Sequence, residues 1–351
     1  MKKLLLTLLI SVSGYTYIMP ETTEEDKKSP QQGDFDYDLY SRDQRAYFVD
    51  AEFLYWTVLE GNLDYSLRMT KADWGPSAAL AQGDYQCGQF DWKPGFRVGL
   101  GYFNAPKFWA SWANYTWIHI RGDDSAHDPE KAEKFLIATF PQVFSSPLDK
   151  ATSEIMLHYN MVDWLFARIF NPNPHLRLRL FGGLTFSWMD QEWKVRYFGF
   201  NDELTFVKNT WKFMGGGPRL GFGMDWYWFQ HFYFSTRTSF AMAVGRYKNN
   251  AFLQTNIALA PGDNPSIPLQ DSNYKDWRSA ISFNFALGPS WQKSFTKGRA
   301  EIFAGYELTN WFNIQEVYRS TASGPGLPKE TRQENGLLTL HGFTLRFTVD
   351  F

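Results

Sequence analysis

The feature that most constrains this chain is an alternation of apolar and polar residues with period two, sustained over segments longer than soluble strands usually reach. At the C-terminus Phe343, Leu345, Phe347, Val349 and Phe351 alternate with Thr344, Arg346, Thr348 and Asp350. A strand turns successive side chains to opposite faces, so each such segment has one apolar and one polar face. The pattern recurs. Leu176, Leu178, Leu180, Leu184, Phe186 and Trp188 oppose Arg177, Arg179, Thr185 and Ser187, and Leu220, Phe222, Met224, Trp226 and Trp228 oppose Arg219, Gly221, Gly223 and Asp225. Phe232, Phe234, Phe240, Met242 and Val244 oppose Tyr233, Ser235, Arg237 and Ser239, and Ile281, Phe283, Phe285 and Leu287 oppose Arg278, Ser282 and Asn284.

Counting these segments predicts an all-β chain of about ten strands, within a range of 8 to 12, near 46–59, 92–103, 107–119, 153–170, 175–189, 209–229, 231–246, 276–291, 299–315 and 336–351. Tight turns at Asn104-Ala105-Pro106, Asn171-Pro172-Asn173-Pro174, around Gln230 and at Lys293–Gly298 alternate with long connections at 60–91, 121–152, 190–208, 247–275 and 316–335. Short turns on one side and long loops on the other are the layout of a transmembrane antiparallel up-and-down β-barrel, with both chain ends on the short-turn side. Many segments exceed the roughly 9–11 residues that a tilted strand needs to cross hydrocarbon, whereas soluble strands cluster near about 5–6. Closure satisfies every backbone group that lipid leaves without water. Trp56, Trp188, Trp228, Trp277 and Trp291 fall at segment ends, where they are expected to form interfacial girdles.

Composition agrees. Aromatics make up 19% of the 351 residues while mean hydropathy is −0.39, which excludes a disordered chain. After the N-terminus no run approaches 18 apolar residues, so helical spans are not expected. A net charge of −2 leaves no basic face for nucleic acid. The start, Met1-Lys2-Lys3 followed by Leu4–Ile10 and then Ser11, Ser13 and Gly14, has the layout of a secretory signal peptide over 1–14, cut near Gly14. Residues 15–44 read as a flexible periplasmic lead-in and 45–351 as the barrel. Cys87 is the single cysteine, so no internal disulfide or cysteine metal cluster is expected.

Giving the apolar parity to lipid leaves a lumen set of Asp50, Glu52, Arg97, His158, Arg168, Arg177, Arg179, Arg219, Asp225, Arg237, Arg278, Glu301, Glu307, Arg346 and Asp350. Arginine predominates over lysine, which suits a polar interior at close quarters. Two readings stand: a water path whose Arg excess slightly favours anions, or charges that pair across a narrow lumen and seal it. Gly215, Gly217, Gly221 and Gly223 favour the path by widening the interior. Asp163 falls on the parity of Ile155, Leu157, Tyr159 and Met161, which this assignment gives to lipid, so a bulge is expected to return it to the lumen. Asp128-Pro129 opens a short predicted helix through Ile137, either in the mouth or on the surface.

Between residues 156 and 351 stand Tyr159-Asn160-Met161-Val162-Asp163-Trp164, Leu180-Phe181-Gly182-Gly183-Leu184, Gly216-Gly217-Pro218-Arg219-Leu220-Gly221, Gly305-Tyr306-Glu307 and Leu340-His341-Gly342-Phe343. In their order and strand context these resemble the Legionella-type major outer membrane protein family, whose relatives include chlamydial surface proteins. The N-terminal third matches in style, through Tyr47–Leu59 and Pro94-Gly95-Phe96-Arg97-Val98-Gly99. The resemblance implies a pore-forming barrel in the bacterial outer membrane and supplies no catalytic residues. Relatives carry several cysteines where this chain has one, so a disulfide-linked envelope network is not expected.

No enzyme is expected. His119, His127, His158, His175, His231 and His341 are scattered, without HExxH, GxSxG or a phosphate loop, and His158 opposes Ser153 and Asp163 in parity. No cofactor or metal is expected. The leading expectation is a porin-like path for small hydrophilic solutes. The alternative is a sealed surface, adhesion or envelope-structural barrel, and a barrel hydrolase comes a distant third. Expected partners are outer-membrane lipid, small solutes and the barrel assembly machinery, with Phe347, Val349 and Phe351 as the C-terminal assembly signal. A homo-oligomer is left open.

Overall fold

The computed structural model describes residues 45–69, 83–104, 107–128, 135–140, 147–200, 202–229, 231–256, 267–295, 298–320 and 331–351. The leader at 1–14 and the lead-in at 15–44 lie outside them, as do 129–134 of the predicted helix. The alternating segments form a closed antiparallel ring of ten strands: β1 (Arg45–Glu60), β4 (Lys93–Asn104), β5 (Trp109–His127), β7 (Lys150–Asn173), β8 (Leu176–Phe198), β9 (Leu204–Tyr227), β10 (Phe232–Thr255), β11 (Ile267–Phe295), β12 (Gly298–Ser320) and β13 (Thr331–Asp350). β1 pairs with β4 through Glu52 opposite Arg97 and with β13 through Glu52 opposite Arg346, which closes the ring. Closure leaves no wall strand with an unpaired edge. Within the long connections, β2 (Asp64–Met69), β3 (Gly83–Cys87) and β6 (Phe135–Ala138) make a separate sheet in the order β3-β2-β6. Residues 135–137, expected as the end of a helix, therefore belong to a strand.

Near the end carrying Arg45 and Phe351, the expected parity holds. Phe343, Leu345, Phe347, Leu180, Leu184, Leu220 and Phe240 point outward and are exposed, while Arg97, Arg177, Arg219, Asp225 and Glu307 point inward and are buried. Further along each long strand the polarity reverses. In β7, Ile155, Leu157, Tyr159 and Met161 are buried inside, and it is Trp164, Phe166 and Phe170 that face outward. In β8 the buried residues are Trp193, Val195 and Tyr197, with Asp190, Glu192, Lys194 and Arg196 on the outer face. β9 buries Val207, Trp211 and Phe213 and turns Lys208 and Lys212 out.

The physical reason is a change of solvent. Where lipid surrounds the wall, apolar groups face out and polar groups can pair inside. Beyond the lipid, the same wall meets water, and the hydrophobic effect draws the apolar groups into the lumen as an ordinary core. From Asp190 to the end of β8 at Phe198 the strand continues roughly 26 Å past this reversal. Much of what the sequence presented as long connections is thus strand with inverted polarity; Gly199–Glu203 alone separates β8 from β9.

Several expectations change accordingly. Asp163 does face the lumen, but no bulge puts it there: its pairings with Asn114 and Thr185 lie in unbroken register. His158 lies on the outer face beside His119, their ring centroids 3.9 Å apart, so it does not line the lumen; Ser153 and Asp163 are inside. Trp56 leaves the expected girdle and is buried inside, 1% exposed. Arg168 is exposed on the outer face, where its guanidinium donates to the Lys107 carbonyl.

Candidate functional site

The barrel lumen has two storeys. The lower one, on the side of Arg45 and Phe351, is lined by charges that pair across the ring. Arg97 is held from two directions, with Nη1 2.5 Å from Glu52 Oε2 and Nη2 2.9 Å from Glu307 Oε1, while its Nε donates to Thr116. Glu307 also accepts from Asn284 at 2.7 Å and lies 3.9 Å from Arg237. Arg346 bridges Glu301 at 3.0 Å and Glu52 at 3.9 Å, and Arg299 sits between Glu301 at 3.2 Å and Asp350 at 3.0 Å. Arg177 and Arg179 share Asp225 at 2.9 and 2.8 Å, and Arg219 meets Asp163 at 2.7 Å.

These seven arginines face the carboxylates of Glu52, Asp163, Asp225, Glu301, Glu307 and Asp350, with Asp50 also on the lumen wall. The Arg excess expected from the sequence disappears in this storey, because Asp163 and every other carboxylate of the network return the balance to about zero. A cavity of about 90 Å³ lies here, bordered by Asp50, Glu52, Arg179, Arg237, Arg299, Glu301 and Arg346 together with Phe48, Phe103 and Phe181. A smaller one of about 20 Å³ continues inward past Asn114 and Arg237 to Arg97, Arg219 and Glu307.

Of the lumen glycines, Gly223 borders this cavity, whereas Gly215 and Gly221 do not widen the lumen. A Cβ on Gly221 would lie 2.2 Å from the Phe181 ring, and one on Gly215 would lie 2.6 Å from the Phe213 ring. The room released at Gly215 and Gly221 is filled by these phenylalanines. Gly221→Val is expected to cost about 1–3 kcal/mol by overpacking, read as an earlier urea midpoint for the barrel refolded in lipid vesicles. Gly223→Ala, whose added Cβ would find Arg179 Nε no nearer than 3.5 Å, should leave the midpoint where it is. Equal midpoints for both variants and wild type would show that Phe181 adapts without cost.

Above the charges the lumen is filled. Trp56, Tyr159, Trp193, Trp211, Tyr247 and Trp311 are each between 0 and 2% exposed and belong to one buried cluster. Trp56 turns its ring to the Arg97 guanidinium, 5.7 Å from ring centroid to Cζ, and donates from Nε1 to Thr344. Trp311 Nε1 donates to Tyr159 Oη at 3.4 Å. Arg278, in this upper storey, stacks 3.4 Å from the Tyr247 ring centroid and pairs with Glu316 at 2.7 Å and Asp276 at 2.9 Å. A ten-stranded ring is only slightly wider than the eight-stranded barrel that side chains fill completely, so six large aromatic side chains suffice to occupy it.

The β3-β2-β6 sheet covers the far mouth. Leu63, Tyr65, Leu136, Phe140 and Leu148 join the same buried cluster as the wall residues Trp193 and Tyr197. Tyr197 Oη donates to the Tyr65 carbonyl at 2.6 Å, Arg319 Nη2 meets Asp64 Oδ1 at 2.8 Å, and Gln191 Nε2 donates to Glu60 at 2.7 Å. Cys87 is free and exposed on β3, where partial burial and then the Asp64 carboxylate raise its thiol pKa above the ordinary value. Among the described residues no group of three or more His, Cys, Asp or Glu is arranged to hold a metal ion.

Of the expected lumen residues, Arg97, Arg177, Arg179, Arg219, Asp225, Arg237, Glu301, Glu307 and Arg346 come together in the lower storey, Arg278 lies in the upper one, and Arg168 and His158 lie outside. The sequence reading missed Arg299 and the whole aromatic fill. Phe347, Val349 and Phe351 line the outer face at the C-terminus, between 37 and 65% exposed.

A ten-stranded closed ring with an outward apolar belt and an inward ion-pair network defines an integral outer-membrane β-barrel protein. The chain belongs to the family described as the Legionella pneumophila major outer membrane protein precursor, whose model matches residues 40–351. No curated protein sequence matches it significantly. Among solved structures it is similar to the outer membrane protease OmpT from Escherichia coli, at 9% identity and a TM-score of 0.41, covering 87% of this chain and 96% of that one. A Pseudomonas aeruginosa FadL homologue matches at 8% identity and a TM-score of 0.25, over 88% of this chain and 90% of that one. The Pseudomonas putida toluene transporter TodX matches at 8% identity and a TM-score of 0.28, over 88% and 89%. Similarities this low carry no argument about activity.

Proposed function

We propose that this protein serves the outer membrane as a closed barrel that carries a water-exposed wall and its loop sheet on the cell surface. The observation that supports this is the filled upper storey, in which Trp56, Tyr159, Trp193, Trp211, Tyr247 and Trp311 leave no more than 2% of their surface to solvent. The carboxylate and guanidinium groups below it pair with one another and stiffen the wall at the level of the lipid. Phe347, Val349 and Phe351 present the outward C-terminal pattern that the barrel assembly machinery is proposed to read, with lipid as the surrounding partner.

A second reading, passive diffusion of small hydrophilic solutes, is supported by the charged cavity of about 90 Å³. It requires the aromatic fill to move. Refolded protein in a planar bilayer distinguishes the two: the closed barrel gives no discrete conductance steps under conditions in which a known porin conducts. Steady unitary steps from wild-type protein would overturn the closed reading in favour of the pore.

A further inference from the structure

On the outer face of β9, β10 and β11, Lys212, Lys248 and Lys275 are direct neighbours in register: Lys212 opposes Lys248, and Lys248 opposes Lys275. All three are exposed. Like charges directly opposite on a sheet face repel and destabilise the pair, so three in line are a cost unless something covers them. One row towards the termini, Arg246 lies between Met214 and Trp277 and holds its guanidinium 5.4 Å from the Trp277 ring centroid. One row the other way come Thr210, Asn250 and Asn273, which carry no charge. The line ends at Asp190, which stands directly opposite Lys212 on β8 but forms no ion pair with the three lysines among the described residues, and Glu192, one row further and opposite Thr210, is engaged by Lys194 and Lys208 at 2.5 and 2.6 Å.

The height of this patch identifies what meets it. Met214, Val244 and Trp277 are exposed members of the apolar belt, so the lysines stand on the first polar row above hydrocarbon. That is where lipid headgroups lie, and basic side chains at that level attract anionic headgroups. Across β8, β7 and β5 the same row carries Asp190, His158 and His119, so the run of lysines ends at Lys212 on that side. We propose that Lys212, Lys248, Lys275 and Arg246 form a binding surface for the phosphate groups of an outer-leaflet glycolipid. The lysines supply point charges along the row, and Arg246, stacked on Trp277, supplies an oriented guanidinium for phosphate oxygens at the hydrocarbon edge. The surface is independent of whether the lumen opens.

The test uses the full-length barrel in detergent, titrated with purified lipid A bearing its phosphates and followed by native mass spectrometry. A triple variant, Lys212→Gln with Lys248→Gln and Lys275→Gln, is expected to bind on the order of a hundredfold more weakly than wild type. A control pair, Lys194→Gln with Lys208→Gln, is expected to bind as wild type does. Heat-modifiable gel mobility checks that each variant is a folded barrel. Dephosphorylated lipid A should bind wild type and triple variant alike, and inorganic phosphate should not compete at millimolar concentration. Equal binding of phosphorylated lipid A to wild type and triple variant would overturn the proposal, as would equal losses in the triple variant and the control pair. Effective competition by inorganic phosphate would overturn the lipid as the source of the phosphate.

Discussion

Glu307→Ala is expected to lower the stability of the barrel by about 3–5 kcal/mol, because it strips a buried charge network of its shared acceptor. Glu307 is 1% exposed and holds Arg97 through two contacts at 2.9 and 3.1 Å, with Asn284 donating to it and Arg237 close by. Without it, Arg97 keeps only Glu52 and Thr116, and Arg237 loses its nearest ion-pair partner. The cost comes from the uncompensated charge left behind rather than from the net worth of the pair, since replacing a whole buried pair by apolar groups is often close to neutral. The double variant Arg97→Met with Glu307→Leu should therefore recover much of the loss. Urea titration of protein refolded in lipid vesicles reads both variants. A double variant no more stable than Glu307→Ala would show that the pair itself, and not relief from an orphaned charge, stabilises the wall.

How far the fold could be read from the sequence follows from which solvent each segment meets. The ten strands and their lower-half parity were legible because lipid enforces apolar residues on one face, as at Phe343, Leu345 and Phe347. The upper half was misread for the same physical reason, applied where it no longer holds. Segment 190–208 contains Trp193, Val195 and Tyr197 against Glu192, Lys194 and Arg196, a period-two strand whose polarity is inverted relative to Leu180, Leu184 and Phe186. The reversal itself is a sequence signal. In β7 the apolar parity changes between Met161 and Trp164, and in β9 between Phe213 and Met214, which marks the level where lipid gives way to water.

Other features left no local trace. Arg97 and Glu307 are 210 residues apart in sequence and meet only because β1 closes the ring between β4 and β13. The covering sheet was unreadable because Tyr65, Ser66 and Leu67 are consecutive and all buried, so no alternation distinguishes one face from the other. Below the reversal the exceptions were Arg168, which faces outward, Arg299, which joins the network unexpectedly, and Asp163, which needs no bulge to face the lumen.

Trp311→Ala is expected to cost about 3–5 kcal/mol and to give the barrel intermittent conductance, because this side chain both packs the upper storey and blocks it. Trp311 is 0% exposed, donates to Tyr159 and stands opposite Leu338 on β13 and Ser282 on β11. Its removal leaves a void directly above the Arg97–Glu307 level, and a polar Tyr159 hydroxyl without its indole partner. A site with such groups admits water where an apolar cavity would stay dry. The lower cavity and the new void together thin the barrier that the aromatic side chains present. Trp228→Ala is the matched control: Trp228 is 57% exposed on the outer face, so its loss should shift stability much less and leave the bilayer silent. Conductance steps from Trp311→Ala, absent from wild type and from Trp228→Ala, would locate the seal in the aromatic layer. Loss of stability with continued silence would instead assign Trp311 to packing and place the closure in the β3-β2-β6 sheet, where Arg319→Ala, which releases Asp64, becomes the variant expected to conduct.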